Sequence, residues 1–158
     1  MTKILIIGYG NPGRLDDGLG PAFAEAVQKY NINGVSVDSD YQLTVEDAVD
    51  IAQHDIVLFA DADVKGPEPF YLKKVKPATV VSLSSHSIKP NSLIGLVKES
   101  FNREVKAYVL GIRGYEFNEF EEKLSEKATQ NLHEALIFIK PLLENSNFHE
   151  IRAENITW

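Results

Sequence analysis

The 158-residue chain has no cysteine. A disulfide scaffold is thereby excluded, and any metal chemistry must use oxygen and imidazole donors rather than thiolate. Long hydrophobic runs are also missing. The first apolar stretch, Ile4 to Ile7, is stopped by Gly8. It falls short of the roughly 7–15 apolar residues of a signal-peptide core and the roughly 20 of a membrane span. Neither is expected, nor any membrane partner, and the expected setting is the cytoplasm. Basic residues are outnumbered, 16 Lys+Arg against 23 Asp+Glu, for a formal net charge of −7. A nucleic-acid partner, which calls for a Lys/Arg-rich stripe, is not expected. With 10 glycines and 7 prolines the chain has too few of either for collagen or low-complexity disorder. What is present is 44% hydrophobic and 25% charged residues, a composition for a single domain over 1–158 that buries about two thirds of its unfolded surface.

Short β-rich runs alternate with helical periodicity, which predicts an α/β three-layer sandwich: a twisted, mostly parallel five-stranded sheet with helices on both faces. Lys3 to Gly8 is continuously apolar, as a strand buried on both faces should be. A helix follows over Gly18 to Tyr30, with Leu19, Phe23, Ala26, Val27 and Tyr30 on one face and Pro21 in its first turn. Val35 to Asp38 reads as a strand, and Thr44 to Gln53 as a short helix capped by Thr44. Asp55 to Ala60 reads as a central strand. The connection after it, KGPEPF, is too short for a crossover helix, so Phe70 to Val75 is expected as an antiparallel edge strand. Thr79 to Leu83 is a further strand candidate. Pro90 opens a helix with Leu93, Val97 and Phe101 on its face, and Val105 to Ile112 is the last strand. The final helix is expected over Phe120 to Lys140, burying Leu124, Ala128, Leu132, Ala135, Leu136 and Ile139, with Pro141 ending or kinking it. The polar tail from Asn145 to Trp158 is expected to be poorly ordered.

Gly8, Gly10 and Gly13 spell G-x-G-x-x-G after the first strand, and Asp38 ends the second. That pattern offers one alternative, a dinucleotide-binding Rossmann module. The context disfavours it: Arg14 to Gly18 separate the last glycine from the helix, and Asp16 and Asp17 would turn negative charge towards a pyrophosphate. Ligands of open α/β sheets bind beyond the carboxyl ends of the strands. There the chain offers Asp16 and Asp17 after the first strand, Asp61 and Asp63 after the third, Ser84, Ser85 and His86 after Thr79–Leu83, and Gly111 to Gly114 at the end of the last. Two carboxylates and an imidazole form a donor set for a first-row divalent metal. The bland readings are helix capping for Asp16 and Asp17 and turn formation for Asp61. His54, His133 and His149 fall at a helix end, on a helix surface and in the tail, and read as structural or solvated. Arg113 suits either a substrate carboxylate or neutralisation of the acidic rim. The cluster from Glu119 to Glu122 reads as the exposed start of the last helix. A second alternative is a phospho-acceptor, receiver-like signalling domain with Asp61 as acceptor. It is weakened by the glycine turn between strand and acids and by the lack of a Lys-Pro after the last strand.

The segments GYGNPGRLDDGLGP at 8–21, YQLTVED at 41–47, FADAD at 59–63, SSHSIKP at 84–90 and LGIRGYEF at 110–117 follow one another in the order seen in the hydrogenase maturation proteases. The chain resembles that family from Lys3 to about residue 140. The resemblance implies an endopeptidase that removes the C-terminal extension of a nickel–iron hydrogenase large-subunit precursor. It further implies that the metal is nickel already inserted in that precursor. Asp17, Asp61 and His86 correspond to the metal-contacting and catalytic positions, and Asn11, Asp16 and Arg113 are taken as substrate-positioning candidates. Two carboxylates sharing a proton, as in aspartic-type endopeptidases, would need Asp17 and Asp61 about 3 Å apart.

Overall fold

A computed structural model of the chain describes residues 1–79, 88–145 and 148. Strands β1 (Ile4–Tyr9), β2 (Val35–Asp40), β3 (Ile56–Asp63), β4 (Phe70–Lys74) and β5 (Lys106–Arg113) form one sheet in the order β2-β1-β3-β5-β4. All neighbours are parallel except β4, which runs antiparallel to β5 at the edge. Helices α1 (Leu19–Tyr30) and α4 (Glu126–Asn145) cover one face; α2 (Asp47–Ile51) and α3 (Pro90–Phe101) cover the other. The expected sandwich with its antiparallel edge strand is present. The strand candidate Thr79–Leu83 falls outside the described residues, apart from Thr79.

Strand period sorts the core. In β1, Ile4 and Ile6 pack under α1 and α4, while Leu5 and Ile7 pack under α2 and α3; β3 divides its residues likewise, Leu58 and Ala60 against Val57 and Phe59. Both faces being covered explains why these runs are apolar without alternation. The helices stop where the sequence permits: Asn31 and Asn102 take left-handed φ values of 51° and 50° at the ends of α1 and α3.

Several boundaries differ from expectation. Strand β3 runs on to Asp63, so Asp61 and Asp63 lie within its last residues, paired with Gly111 and Arg113 of β5, rather than following it. The second helix spans only Asp47–Ile51, because Thr44 does not cap it; instead its N–H donates to the Asp47 carboxylate at 2.9 Å. Pro141 does not end α4, which runs on to Asn145. Pro141 and Ile137 lie on the exposed side, so the carbonyl that loses its partner there faces water, while Ile139 and Leu143 stay buried. The same helix begins at Glu126 rather than Phe120, because residues 114–125 form a loop drawn onto Asp16. In the tail, Phe148 is fully buried and sits 5.3 Å from the Tyr108 ring; the other residues beyond Asn145 lie outside the described residues. Among the described residues no helix is long and apolar enough to cross a membrane.

Candidate active site

The sheet order reverses between β1 and β3, which are neighbours and lead away in opposite directions. Such a switch point opens a crevice beyond the carboxyl ends of the strands. Gly8 pairs with Ala60 across it, so Tyr9 and Asp61 come next on their two strands. The chain then turns through Gly10, whose φ of 141° and close approach to the Asp17 carbonyl leave no room for a side chain. A short 3₁₀ turn, Leu15–Gly18, delivers Asp17 above the strand ends before α1 begins. Gly20 lets α1 pass directly over the sheet: a Cβ there would come within 2.6 Å of the Ala60 carbonyl oxygen. Gly8 and Gly10 of the G-x-G-x-x-G pattern are thus closed off by the backbone of Gly20 and Asp17, and the turn leads into a 3₁₀ helix rather than presenting a bare helix N-terminus. This removes the geometry a pyrophosphate needs.

Asp61 is half-buried. Burial pushes its carboxyl up to about 7; the charges of Asp17 and Asp63 act in the same direction, against hydrogen bonds from the Ala62 N–H (2.8 Å) and the Tyr9 hydroxyl. Tyr9 in turn is raised by burial and by Asp61, so it stays protonated and donates. Asp17 accepts the Asn11 N–H at 2.8 Å. No hydrogen bond joins Asp17 to Asp61, so the shared-proton arrangement is not formed between them. Asp63 has a different environment. Burial raises its pKa, but N–H groups of Lys65 and Gly66 and the Tyr71 hydroxyl, with Lys73 nearby, outweigh that and hold it below the usual range.

Against this geometry the comparisons with known proteins can be placed. No family model matches the sequence, and no curated protein does. Solved structures do match. The [NiFe] hydrogenase maturation protease HycI from Thermococcus kodakarensis aligns with a TM-score of 0.71 at 24% identity, over 91% of this chain and 94% of its own. A hydrogenase 2 maturation peptidase from a Thaumarchaeota archaeon gives 0.65 at 18%, covering 90% and 99%. The hydrogenase maturating endopeptidase HybD from E. coli gives 0.63 at 20%, covering 89% and 93%. The chain has the fold of the hydrogenase maturation proteases.

Within that protease fold the remaining candidates separate. Asp16, expected to position substrate, is fully buried. Burial alone would raise its pKa, yet it is lowered, because the carboxylate accepts the N–H groups of Ser125, Tyr115 and Glu116 and the Ser125 hydroxyl at 2.7–3.0 Å. Its acceptors are filled by the chain's own donors, and it braces the loop before α4. The same bonds hold Leu15 at a left-handed φ of 50°, which costs a non-glycine residue about 1 kcal/mol. Asn11 closes the glycine turn, its amide oxygen accepting the Gly13 N–H at 2.9 Å. Arg113 donates to the Gly66 carbonyl at 2.8 Å and lies 5.1 Å from the Tyr115 ring, half-buried beside the β3–β4 connection. His86, with Ser84 and Ser85, lies outside the described residues. Among the described residues no group of three His, Cys, Asp or Glu side chains is placed to hold a metal ion. His54 is structural: it is buried and its Nδ1 pairs with the Asp50 carbonyl at 2.7 Å. Two tyrosines escaped the sequence reading, Tyr9 on Asp61 and Tyr71 on Asp63. The available signal for Tyr9 was its position at the strand's end between two glycines, one step beyond the register row of Gly8 and Ala60.

Proposed function

We propose that the chain is a cytoplasmic endopeptidase that removes the C-terminal extension of a nickel-loaded nickel–iron hydrogenase large-subunit precursor. The observation that carries the reading is Asp17 and Asp61 at the switch point of a sheet whose fold is that of the maturation proteases. Two carboxylates suit a borderline divalent cation but do not complete its coordination. His86 is the proposed third donor. The rest would come from the precursor, whose own thiolates supply what a cysteine-free chain lacks. Nickel is thus read as part of the substrate.

In that arrangement the general base is whichever of Asp17 and Asp61 the cation does not fully engage, and Asp61 is the one proposed. A carboxyl group near 7 is poised to take a proton at neutral pH, and Tyr9 fixes its orientation through a donated hydrogen bond. Asp17 supplies negative charge towards the cation. The receiver-like alternative fits less well: the Asp61 carboxyl is engaged by the Tyr9 hydroxyl and the Ala62 N–H, and a glycine turn separates β1 from its acids.

The test is cleavage of purified precursor, with and without nickel, by the wild type and by Asp17→Ala, Asp61→Ala and His86→Ala. Shortening of the nickel-loaded precursor alone, abolished by each substitution, is expected. Cleavage indifferent to nickel and to all three changes would overturn the reading.

A further inference from the structure

An open cleft of about 580 Å³ runs from Tyr9, Asp61 and Asp63 across the α3 face of the sheet to β4. Its far side carries Lys73, Lys74, Lys76 and Lys89, all exposed. None of the four forms an ion pair among the described residues, where the salt bridges belong to Lys29, Arg103 and Lys127. Asp61 and Asp63 are the only acids on its lining among those residues. Lys73 lies 5.0 Å from the Tyr71 ring centroid and near Asp63. In a chain with 23 acids and 16 bases, a cleft with four lysines outside any salt bridge among the described residues is an exception to the overall charge.

We propose that this cleft receives the extension of the substrate as an extended, acidic peptide, its carboxylates reaching Lys73, Lys74, Lys76 and Lys89 while the scissile bond lies at Asp61. The inference rests on the endopeptidase reading above and adds a specificity determinant to it. Charge complementarity selects this occupant. One end of the cleft attracts a cation and the other attracts carboxylates, as a metal-bearing polypeptide with an acidic tail requires. A polyanion of uniform charge, such as a nucleic acid, would be repelled at the Asp61 end.

The register sets the distance. Asp61, Gly111 and Tyr71 share one row across β3, β5 and β4. Lys73 is two residues along β4 from that row, and Lys76 is five residues along the chain. At about 4.8 Å per strand spacing and about 3.3 Å per residue, these backbone positions lie roughly 12 and 19 Å from Asp61. An extended peptide covers that span in about four to six residues. The acidic positions should therefore fall about four to six residues beyond the scissile bond.

Two measurements test this. In precursor cleavage, Lys73→Gln/Lys74→Gln/Lys76→Gln/Lys89→Gln should raise KM about tenfold while kcat stays within about twofold, and about 0.5 M salt should do the same to the wild type. In fluorescence anisotropy, the wild type should bind a labelled peptide of about ten residues, rich in Glu with a free carboxylate, and lose it when Glu is replaced by Gln and the terminus amidated. The second readout needs neither nickel nor cleavage. A wild type unable to cut precursor sinks the endopeptidase reading, and peptide binding still judges the cleft. Normal cleavage with an unchanged KM in the fourfold variant overturns the cleft assignment. So does equal binding of the two peptides, or tighter binding of an oligo-dT.

Discussion

The two acid pairs at the carboxyl ends of β1 and β3 divide their labour in the same way. In the glycine turn, Asp16 is buried, accepts four hydrogen bonds and is held below the usual carboxylate range, while Asp17 accepts one backbone N–H and lies near enough to Asp61 for its charge to raise that carboxyl. At the end of β3, Asp63 is held low by two N–H groups and the Tyr71 hydroxyl, while Asp61, given one N–H and one phenol, is pushed up to about 7. The number of donors decides the role. A carboxylate whose lone pairs are filled becomes structure, and its neighbour is left for chemistry. The filled member also shapes the site, Asp16 by drawing residues 115–125 over the turn and Asp63 by fixing the β3–β4 connection.

The strongest way to break the comparison is to neutralise the under-bonded members. Asp17→Asn and Asp61→Asn should each lower kcat/KM for precursor by about 100-fold or more without lowering Tm. A Tm collapse for either would show that the division of roles is wrong. Next in size is Asp16→Ala, which leaves three backbone donors and the Ser125 hydroxyl without their acceptor. It should destabilise the fold by about 3 kcal/mol in denaturant titration. Asp16→Asn, which keeps the shape but loses the charge, should cost less.

The pH dependence of the metal-free protein separates the pairs by sign. Asp61 has a raised folded pKa, so its contribution is fully present below the unfolded carboxylate value of about 3.9 and is lost as pH rises through about 7. Asp16 and Asp63 have lowered folded pKa values; their contributions are present above the unfolded value and are lost as pH falls through the folded ones. Asp61→Asn should therefore remove a decline in stability between about pH 4 and 7, and Asp63→Asn should instead flatten the acid limb below about pH 4. Unfolding curves across that range check both signs. The smallest effect is expected for Tyr71→Phe, which removes one donor to Asp63. About 1 kcal/mol of stability should be lost in denaturant titration, with Asp63 titrating at higher pH by NMR.

Much of the fold was legible because its signals are local. Continuous apolar runs marked the doubly covered strands, a short Gly/Pro connection marked the antiparallel edge, and Pro90 marked the start of α3. The last helix was misread at both ends because its limits are set from a distance. Asp16, about a hundred residues away, holds the preceding loop out of the helix, and a solvent-facing side lets Pro141 remain inside it. At the proposed site, the sequence placed Asp17 in the turn beyond β1 and Asp61 close to the carboxyl end of β3. Asp16 was not readable as structural, since nothing local distinguishes it from its neighbour. Tyr9 and Tyr71 were missed because a tyrosine at a strand end reads first as packing.

The sequence by itself determined which residues could do chemistry. A chain without cysteine, with carboxylates in the turn beyond the first strand and at the end of the third, is confined to oxygen and imidazole donors wherever it folds. Only the tertiary structure decided which of those carboxylates is available. Adjacent aspartates in a turn, or alternate ones on a strand, are chemically identical in the chain. They become different when backbone N–H groups from residues 115–125 fill one acceptor and burial beside a like charge leaves the other hard to ionise. Donor count and desolvation are properties of the packed molecule, and no spacing rule along the chain contains them.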